Sequence, residues 1–420
     1  MKKFLCLFLI AILMTGCTGM PDAPIGVLTP APQEPTPVAV EATAVPETPA
    51  ATPAPTASPE PTPEPTLSPE ERLFACIDGM TTEEKIGQLC MFGFSGTSAI
   101  STEFRKILRE YHIGGVMLYG QTNTVRSNSD GGFSQCRALT ESIRNANKSE
   151  IPLLIGIDVE GGRVTRFRWK KTLLSAQSLG KKDDADRARD QFRYIAEGLT
   201  DVGINMDLAP CLDIARDPAE TFLGSRIISS DETIASRIGR ACIEGLHDGG
   251  CLSVVKHFPG HGATTADSHA YTPVVKKSLD ALETYELVPF QAALSLADGV
   301  MVAHISFPKI DDAHIASQSE IFITDLLREQ FGFEGIVMSD DFRMAGLRTQ
   351  TSPADGAVQF ILAGGDLILC GANHTYQRQI LKGLYAAVED GTIDEQRLNE
   401  SVYRILSAKM RVAGWDPFEK

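Results

Sequence analysis

From residue 88 onward, short apolar runs alternate with longer amphipathic stretches. The runs occupy 88–94 (QLCMFGF), 114–120 (GGVMLYG), 152–158 (PLLIGID), 204–214 (INMDLAPCLDI), 252–258 (LSVVKHF), 299–305 (GVMVAHI), 335–341 (GIVMSDD) and 365–371 (GDLILCG). Each is apolar almost throughout, as a strand buried on both faces should be. The intervening stretches, such as STEFRKILREY, DRARDQFRYIAEGL, DETIASRIGRACIEGL and LDALETYELVPFQAALSL, read as helices. Helix-start signals accompany them, including Asp231 before its helix and Thr81 with Glu84 three residues on.

Eight candidate strands alternating with helices predict an α/β fold, a (β/α)₈ barrel, with a doubly wound open sheet as the rival. The polar residues decide between them. Asp158, Asp213, Lys256, His257, His304 and Asp340 fall at or near the ends of runs three to seven. A barrel gathers those carboxyl ends at one mouth, whereas an open sheet spreads them along an edge. One barrel domain is expected over 68–420.

The first 67 residues follow another pattern. Lys2 and Lys3 precede the apolar FLCLFLIAILM, and TGC ends at Cys17. That is a charged n-region, a short h-region and a small residue before the cut, so 1–16 reads as a signal peptide. A small residue followed by cysteine looks like a lipobox, which makes Cys17 the candidate lipidation site. The linker, 17–67, is dominated from residue 21 by Pro, Thr, Ala and Glu, with no Lys or Arg. Prolines this dense, with so few large apolar groups, predict a disordered, semi-rigid tether. At about 3.1 Å per residue, residues 21–67 reach at most roughly 145 Å. The expected location is therefore the outer face of the cytoplasmic membrane or the cell envelope, held by a lipid anchor.

Composition narrows the chemistry. The formal charge of −15, with 54 acidic and 39 basic residues, carries no basic stripe, so nucleic acid is not an expected partner. Past the signal region, seven cysteines stand singly without a C-x-x-C, several within apolar runs, and read as buried thiols.

The densest chemistry lies in 256–269, KHFPGHGATTADSH. Zinc through His257, His261 and His269 is allowed by ligand type, but Pro259 and Gly260 exclude the helical H-E-x-x-H arrangement and Lys256 repels a cation. No G-x-S-x-G elbow is present for a serine nucleophile. A sugar site fits better. Glycoside hydrolysis with retention needs a proton donor and a carboxylate nucleophile, and GIVMSDD supplies Asp340 and Asp341 at one strand end. Adjacent strand residues point to opposite faces, so one of the two is expected in the pocket.

KHFPGHG (256–262) leading to Asp267 and His269 resembles glycoside hydrolase family three, in its β-N-acetylglucosaminidase branch. IDVEGGRVTR (157–166), MVAHISFP (301–308) and GIVMSDD resemble further motifs of that branch, and the likeness runs in order through 70–415. It implies Asp340 as nucleophile, His269 as general acid/base, and Asp267 as the group setting its tautomer. It further implies Asp158, Arg163, Arg226, Lys256 and His257 on the sugar. Ala263 and Ile227–Ile228 depart from the family's usual Asp and Ser-Phe. The resulting expectation is a monomeric, cofactor-free, exo-acting retaining β-N-acetylhexosaminidase acting on cell-wall or chitin-type oligosaccharides. The alternatives are a phosphorylase using phosphate as acceptor, since a neutral histidine base leaves the acceptor site less negative, or a non-catalytic sugar-binding lipoprotein. A metal-dependent barrel hydrolase is a further alternative.

Overall fold

The structure is a computed structural model and describes residues 67–264 and 271–418. Residues 1–66, with Cys17, and the loop positions Asp267 and His269 lie outside the described residues.

All eight apolar runs contain strands. They are β1 (Cys90–Gly93), β2 (Gly115–Met117), β3 (Leu154–Ile157), β4 (Met206–Asp207), β5 (Leu252–Phe258) and β6 (Gly299–Val302). A short hairpin follows, β7 (Ser306–Phe307) with β8 (Asp311–Ile315), and then β9 (Ile336–Ser339) and β10 (Ile368–Cys370). The barrel strands pair in parallel in the order β10-β1-β2-β3-β4-β5-β6-β9. Ser339 N–H donates to the Leu367 carbonyl at 3.0 Å and Leu367 N–H to that of Val337 at 3.0 Å, which closes the ring. The open-sheet rival is thereby excluded. Strand β4 uses only two residues of its long run. Pro210 has no N–H to give to the ladder, and the backbone pairing with β5 beyond it is the isolated Cys211–Lys256 bridge.

The helices begin where the sequence signals them. Thr81 and Glu84 form a reciprocal capping box on helix Thr82–Gln88, and Asp231 caps Glu232–Asp248 through the N–H groups of Thr233 and Ile234. The expected single helix over 279–296 is instead two, Leu279–Glu283 and Val288–Ala293, because Pro289 suits a first turn and not an interior. The hairpin β7–β8 and helices Pro69–Gly79, Pro353–Leu362 and His374–Glu389 are additional to those read from the sequence.

Helix Pro69–Gly79 lies on the C-terminal helix Glu395–Ala413 at the end where the strands begin, with Phe74 stacked on Tyr403 at 5.1 Å and Arg72 paired to Asp416. There, just ahead of β10, the buried Asp366 carboxylate is gripped by Arg328 and by Arg404 at 3.1 Å, with Ser401 donating at 2.8 Å. Buried ions need such compensation. The opposite end of the barrel is left open for chemistry. The cysteines of the described residues are all unpaired, and all but Cys76 are buried.

Candidate active site

Where β3 ends, the chain runs through Asp158 and Glu160 into a tight turn closed by Glu160 N–H to Val164 O (2.9 Å) and Val164 N–H to Gly161 O (2.9 Å). That reversal carries Arg166 back over the strand end. Its Nη2 reaches Asp158 Oδ2 at 3.0 Å, and its Nε reaches the Asp158 carbonyl at 3.1 Å. Lys256, from β5, places Nζ between two carboxylates, 2.6 Å from Asp158 Oδ1 and 2.8 Å from Glu160 Oε1. Arg226 grips Glu160 with both ends of its fork, at 2.8 Å each. Three cations and two carboxylates thus form one continuous net.

The net holds its charges firmly. Burial alone would raise Asp158, but Lys256 and Arg166 outweigh it and keep the carboxyl at about 2. Burial also opposes ionisation of Glu160, yet Arg226 and Lys256 hold it well below the usual carboxylate range. Lys256 is buried as well, and Asp158 and Glu160 push its ammonium above the ordinary lysine value. Polar groups fixed before substrate arrives need little reorganisation during reaction.

His257 stands beside Lys256 and also faces the cavity. The ladder between β5 and β6 slips between Lys256 and Phe258, so the usual alternation of faces is broken at this point. Its Nδ1 lies 2.5 Å from Asp213 Oδ2, and its Nε2 lies 3.3 Å from Arg226 Nη2. A guanidinium can only donate, so Nε2 accepts and Nδ1 carries the proton given to Asp213. The proton shared with Asp213 therefore sits on Nδ1 of His257. Burial disfavours the Asp213 anion, but His257 and the backbone N–H of His261 keep it at about 2.

Asp340 follows the last residue of β9. Its N–H donates to the Val302 carbonyl at 3.1 Å, and its Oδ1 accepts the Asp341 N–H at 2.7 Å. The expectation that only one of the two aspartates faces the pocket is corrected here. β9 ends at Ser339, strand alternation stops there, and both Asp340 and Asp341 line the cavity.

That cavity measures about 420 Å³. Asp158, Glu160, Arg166, Arg226, Lys256 and His257 line one side and Asp340 another, with Met117, Leu208, Met301 and Leu369 supplying apolar surface. Five sequence-predicted residues are brought together: Asp158, Arg226, Lys256, His257 and Asp340. Arg163 is not among them. The 161–164 turn sends it outward, where Nη2 donates to the carbonyls of Phe222 (2.7 Å) and Leu223 (2.9 Å), and Arg166 takes the place expected of it. Glu160, Arg166, Tyr119, Phe222 and Arg343 are cavity residues the sequence reading passed over. The wide interval between Glu160 and its partners Arg226 and Lys256 left no local signal. His304, near the end of the sixth run, is fully buried with Nδ1 2.7 Å from Ser317 Oγ and does not line the cavity.

Metal-ligand atoms gather once among the described residues, at Cys211, Asp213 and His257, within 4.8 Å of one another. Burial keeps the Cys211 thiol protonated, and the His257 proton already occupies Nδ1. These three atoms form a hydrogen-bonded support under the cavity-facing imidazole.

A parallel barrel with a carboxylate at one strand end, set across a polar cavity from a fixed net of hydrogen-bonding charges, defines a barrel glycosidase. Residues 81–408 match the N-terminal domain of glycosyl hydrolase family 3. A β-hexosaminidase from Idiomarina loihiensis is 32% identical over 315 residues, covering 74% of this chain and 91% of that protein. The solved structure of a glycoside hydrolase family 3 β-N-acetylglucosaminidase from a Paenibacillus species is similar at a TM-score of 0.74 and 35% identity, over 80% of this chain and 63% of that one. A β-N-acetylhexosaminidase structure from Beutenbergia cavernae is similar at a TM-score of 0.71 and 26% identity, over 79% and 98%. The chain belongs to glycosyl hydrolase family 3.

Proposed function

We propose that this chain removes terminal N-acetylglucosamine from cell-wall or chitin-type oligosaccharides by an exo-acting double displacement. It is a β-N-acetylhexosaminidase, in keeping with the β-hexosaminidase and β-N-acetylglucosaminidase names of its relatives. The observation that carries the mechanism is the placement of Asp340 across a sugar-sized cavity from the Asp158–Lys256–Glu160 net.

In this reading Asp340 attacks the anomeric carbon and forms a glycosyl-enzyme ester. His269 protonates the leaving oxygen and then deprotonates the incoming water, with Asp267 orienting its ring. Asp158, Arg166, Arg226, Lys256 and His257 bind the sugar hydroxyls and N-acetyl group through charge-assisted hydrogen bonds. Lys256 and Glu160 are buried and line the cavity, which suits a site that holds a single terminal sugar. Cys17 is the proposed lipid attachment and 17–67 the tether, holding the barrel at the outer face of the membrane or in the envelope.

The test uses the full-length protein with nitrophenyl β-N-acetylglucosaminide and the matching glucoside, with and without phosphate. Release from the N-acetyl sugar alone is expected, with Asp340→Ala lowering kcat on the order of 10⁴-fold or more. His269→Ala should spare the first step for this good leaving group and cripple it for chitobiose. A folded wild-type enzyme silent on both sugars would overturn the catalytic reading in favour of a sugar-binding protein.

A further inference from the structure

Strand β4 stops after two residues, yet β3 stays attached to it beyond that point. Leu208 N–H donates to the Ile157 carbonyl at 2.8 Å. The next donor on that edge of β3, the Val159 N–H, goes to a side chain instead and meets Asp207 Oδ1 at 2.8 Å. Val159 lies between Asp158 and Glu160, the two carboxylates that hold Lys256. Asp207 thus supplies a rung of the ladder at the place where the net is attached.

Asp207 itself does not line the cavity. Its neighbour Leu208 does, and successive strand residues point to opposite faces. Asp207 is 0% exposed, and among the described residues its Oδ2 has no hydrogen-bond partner and no cation pairs with it. Ser253, opposite it on β5, turns its hydroxyl to Asp298 at 3.1 Å. The titratable groups around it are Asp158, Glu160, Lys256 and Cys251. Lys256 is already shared by the first two, so a charged Asp207 would be a buried anion without compensation. A neutral acid costs far less. Burial pushes the carboxyl well above the usual carboxylate range, with the Val159 N–H and Lys256 pulling the other way. The proton belongs on Oδ2, which leaves Oδ1 as the carbonyl oxygen that accepts from Val159.

We infer that Asp207 is a positioning residue for the sugar-binding net, a neutral carboxylic acid that locks the Val159 peptide and so sets how Asp158 and Glu160 hold Lys256. Its kinetic part rests on the glycosidase reading above and deepens it.

The test uses three variants of the full-length protein. Asp207→Asn keeps a neutral group with an accepting oxygen, and Asp207→Leu removes the acceptor. Asp207→Ser, too short to reach Val159, takes the place of leucine if that variant does not fold. On nitrophenyl β-N-acetylglucosaminide, kcat/KM per folded enzyme should fall about tenfold in Asp207→Leu, the worth of one hydrogen bond, chiefly through KM. Free N-acetylglucosamine should bind more weakly by a similar factor. Asp207→Asn should stay within about threefold of wild type in both measurements.

A second readout needs no activity. A carboxyl that is neutral when folded and ionises near 3.9 when unfolded makes stability fall as pH rises past that value. Asparagine carries no such penalty, so the urea midpoint of Asp207→Asn should exceed that of wild type at pH 7, with the gap closing toward about pH 4. Kinetics and sugar binding per folded enzyme unchanged in Asp207→Leu would reduce Asp207 to a structural residue and overturn the inference. So would an Asp207→Asn variant as impaired as Asp207→Leu, or a urea gap that does not depend on pH. Inactivity of folded wild type on every N-acetylglucosaminide overturns the glycosidase reading instead, and N-acetylglucosamine binding across the variants then decides the positioning role.

Discussion

Glu160 carries two cations, Arg226 and Lys256, in a place water does not reach. Removing its charge strands both. Glu160→Gln should cost about 3–5 kcal/mol in urea unfolding, the range for breaking a buried pair from one side. It should also raise KM, because Lys256 and Arg226 lose the geometry on which the proposed sugar contacts depend. The two arginines of the EGGRVTR turn separate cleanly. Arg166→Met should lower kcat/KM by about tenfold or more, the worth of a hydrogen bond to a charged group. Arg163→Met should act chiefly on the unfolding midpoint, since its fork ties down the carbonyls of Phe222 and Leu223. Asp158, Lys256 and Asp340 were legible because a charge that interrupts the end of a buried apolar run has few structural reasons to be there. Arg163 and Arg166 were not distinguishable in that way. Which arginine turns inward depends on a turn of four residues whose direction no periodicity encodes.

Asp231 holds two N–H groups at the head of helix Glu232–Asp248, directly after the segment that delivers Arg226. Asp231→Ala should cost about 1 kcal/mol in urea unfolding. The C-terminal helix has a different sensitivity. Lys409 is buried with Gln88 Oε1 as its acceptor at 2.5 Å, and burial pulls its ammonium down to about 7. Unfolded, it titrates near 10.4. Between those values the unfolded chain binds a proton that the folded chain does not, so this group makes stability rise with pH. Its penalty is complete below about pH 7 and gone above about pH 10. Lys409→Met should raise the urea midpoint at pH 6–7 and lose that advantage toward pH 10. Strands were the most legible elements, because burial on both faces writes a run that nothing else in the chain imitates. The β7–β8 hairpin was not legible: Ser306–Phe307 is too short to show a period, and 311–315 is largely exposed and polar. The break in the 279–296 helix was signalled by Pro289, whose place at a helix start fits better than one mid-helix.

Across the whole molecule, the anions that stabilise the fold share one weakness. Asp158 and Asp213 sit at about 2; against the cost of burial, Asp298 is lowered by the His247 hydrogen bond and Asp366 by Arg328 and Arg404. Each therefore contributes stability that is present above the unfolded value near 3.9 and is lost as pH falls through the folded one. Urea midpoints measured from pH 5 to pH 2.5 should fall steeply below about pH 4, and less steeply in Asp158→Asn. Topology was legible at this scale because runs three to seven carry polar residues at or near their carboxyl ends. The seating of helix Pro69–Gly79 was not, since it depends on a partner more than 300 residues away. That seating has a mechanical consequence. The described chain enters at the base, beside Tyr403 and Asp416, while the sugar cavity opens at the other pole. Whatever grips the polypeptide upstream of Leu67 pulls on the face away from the substrate. Linked to a bead through that end, the enzyme should digest insoluble polymer as freely as in solution, and a graft at the mouth of the cavity should silence it.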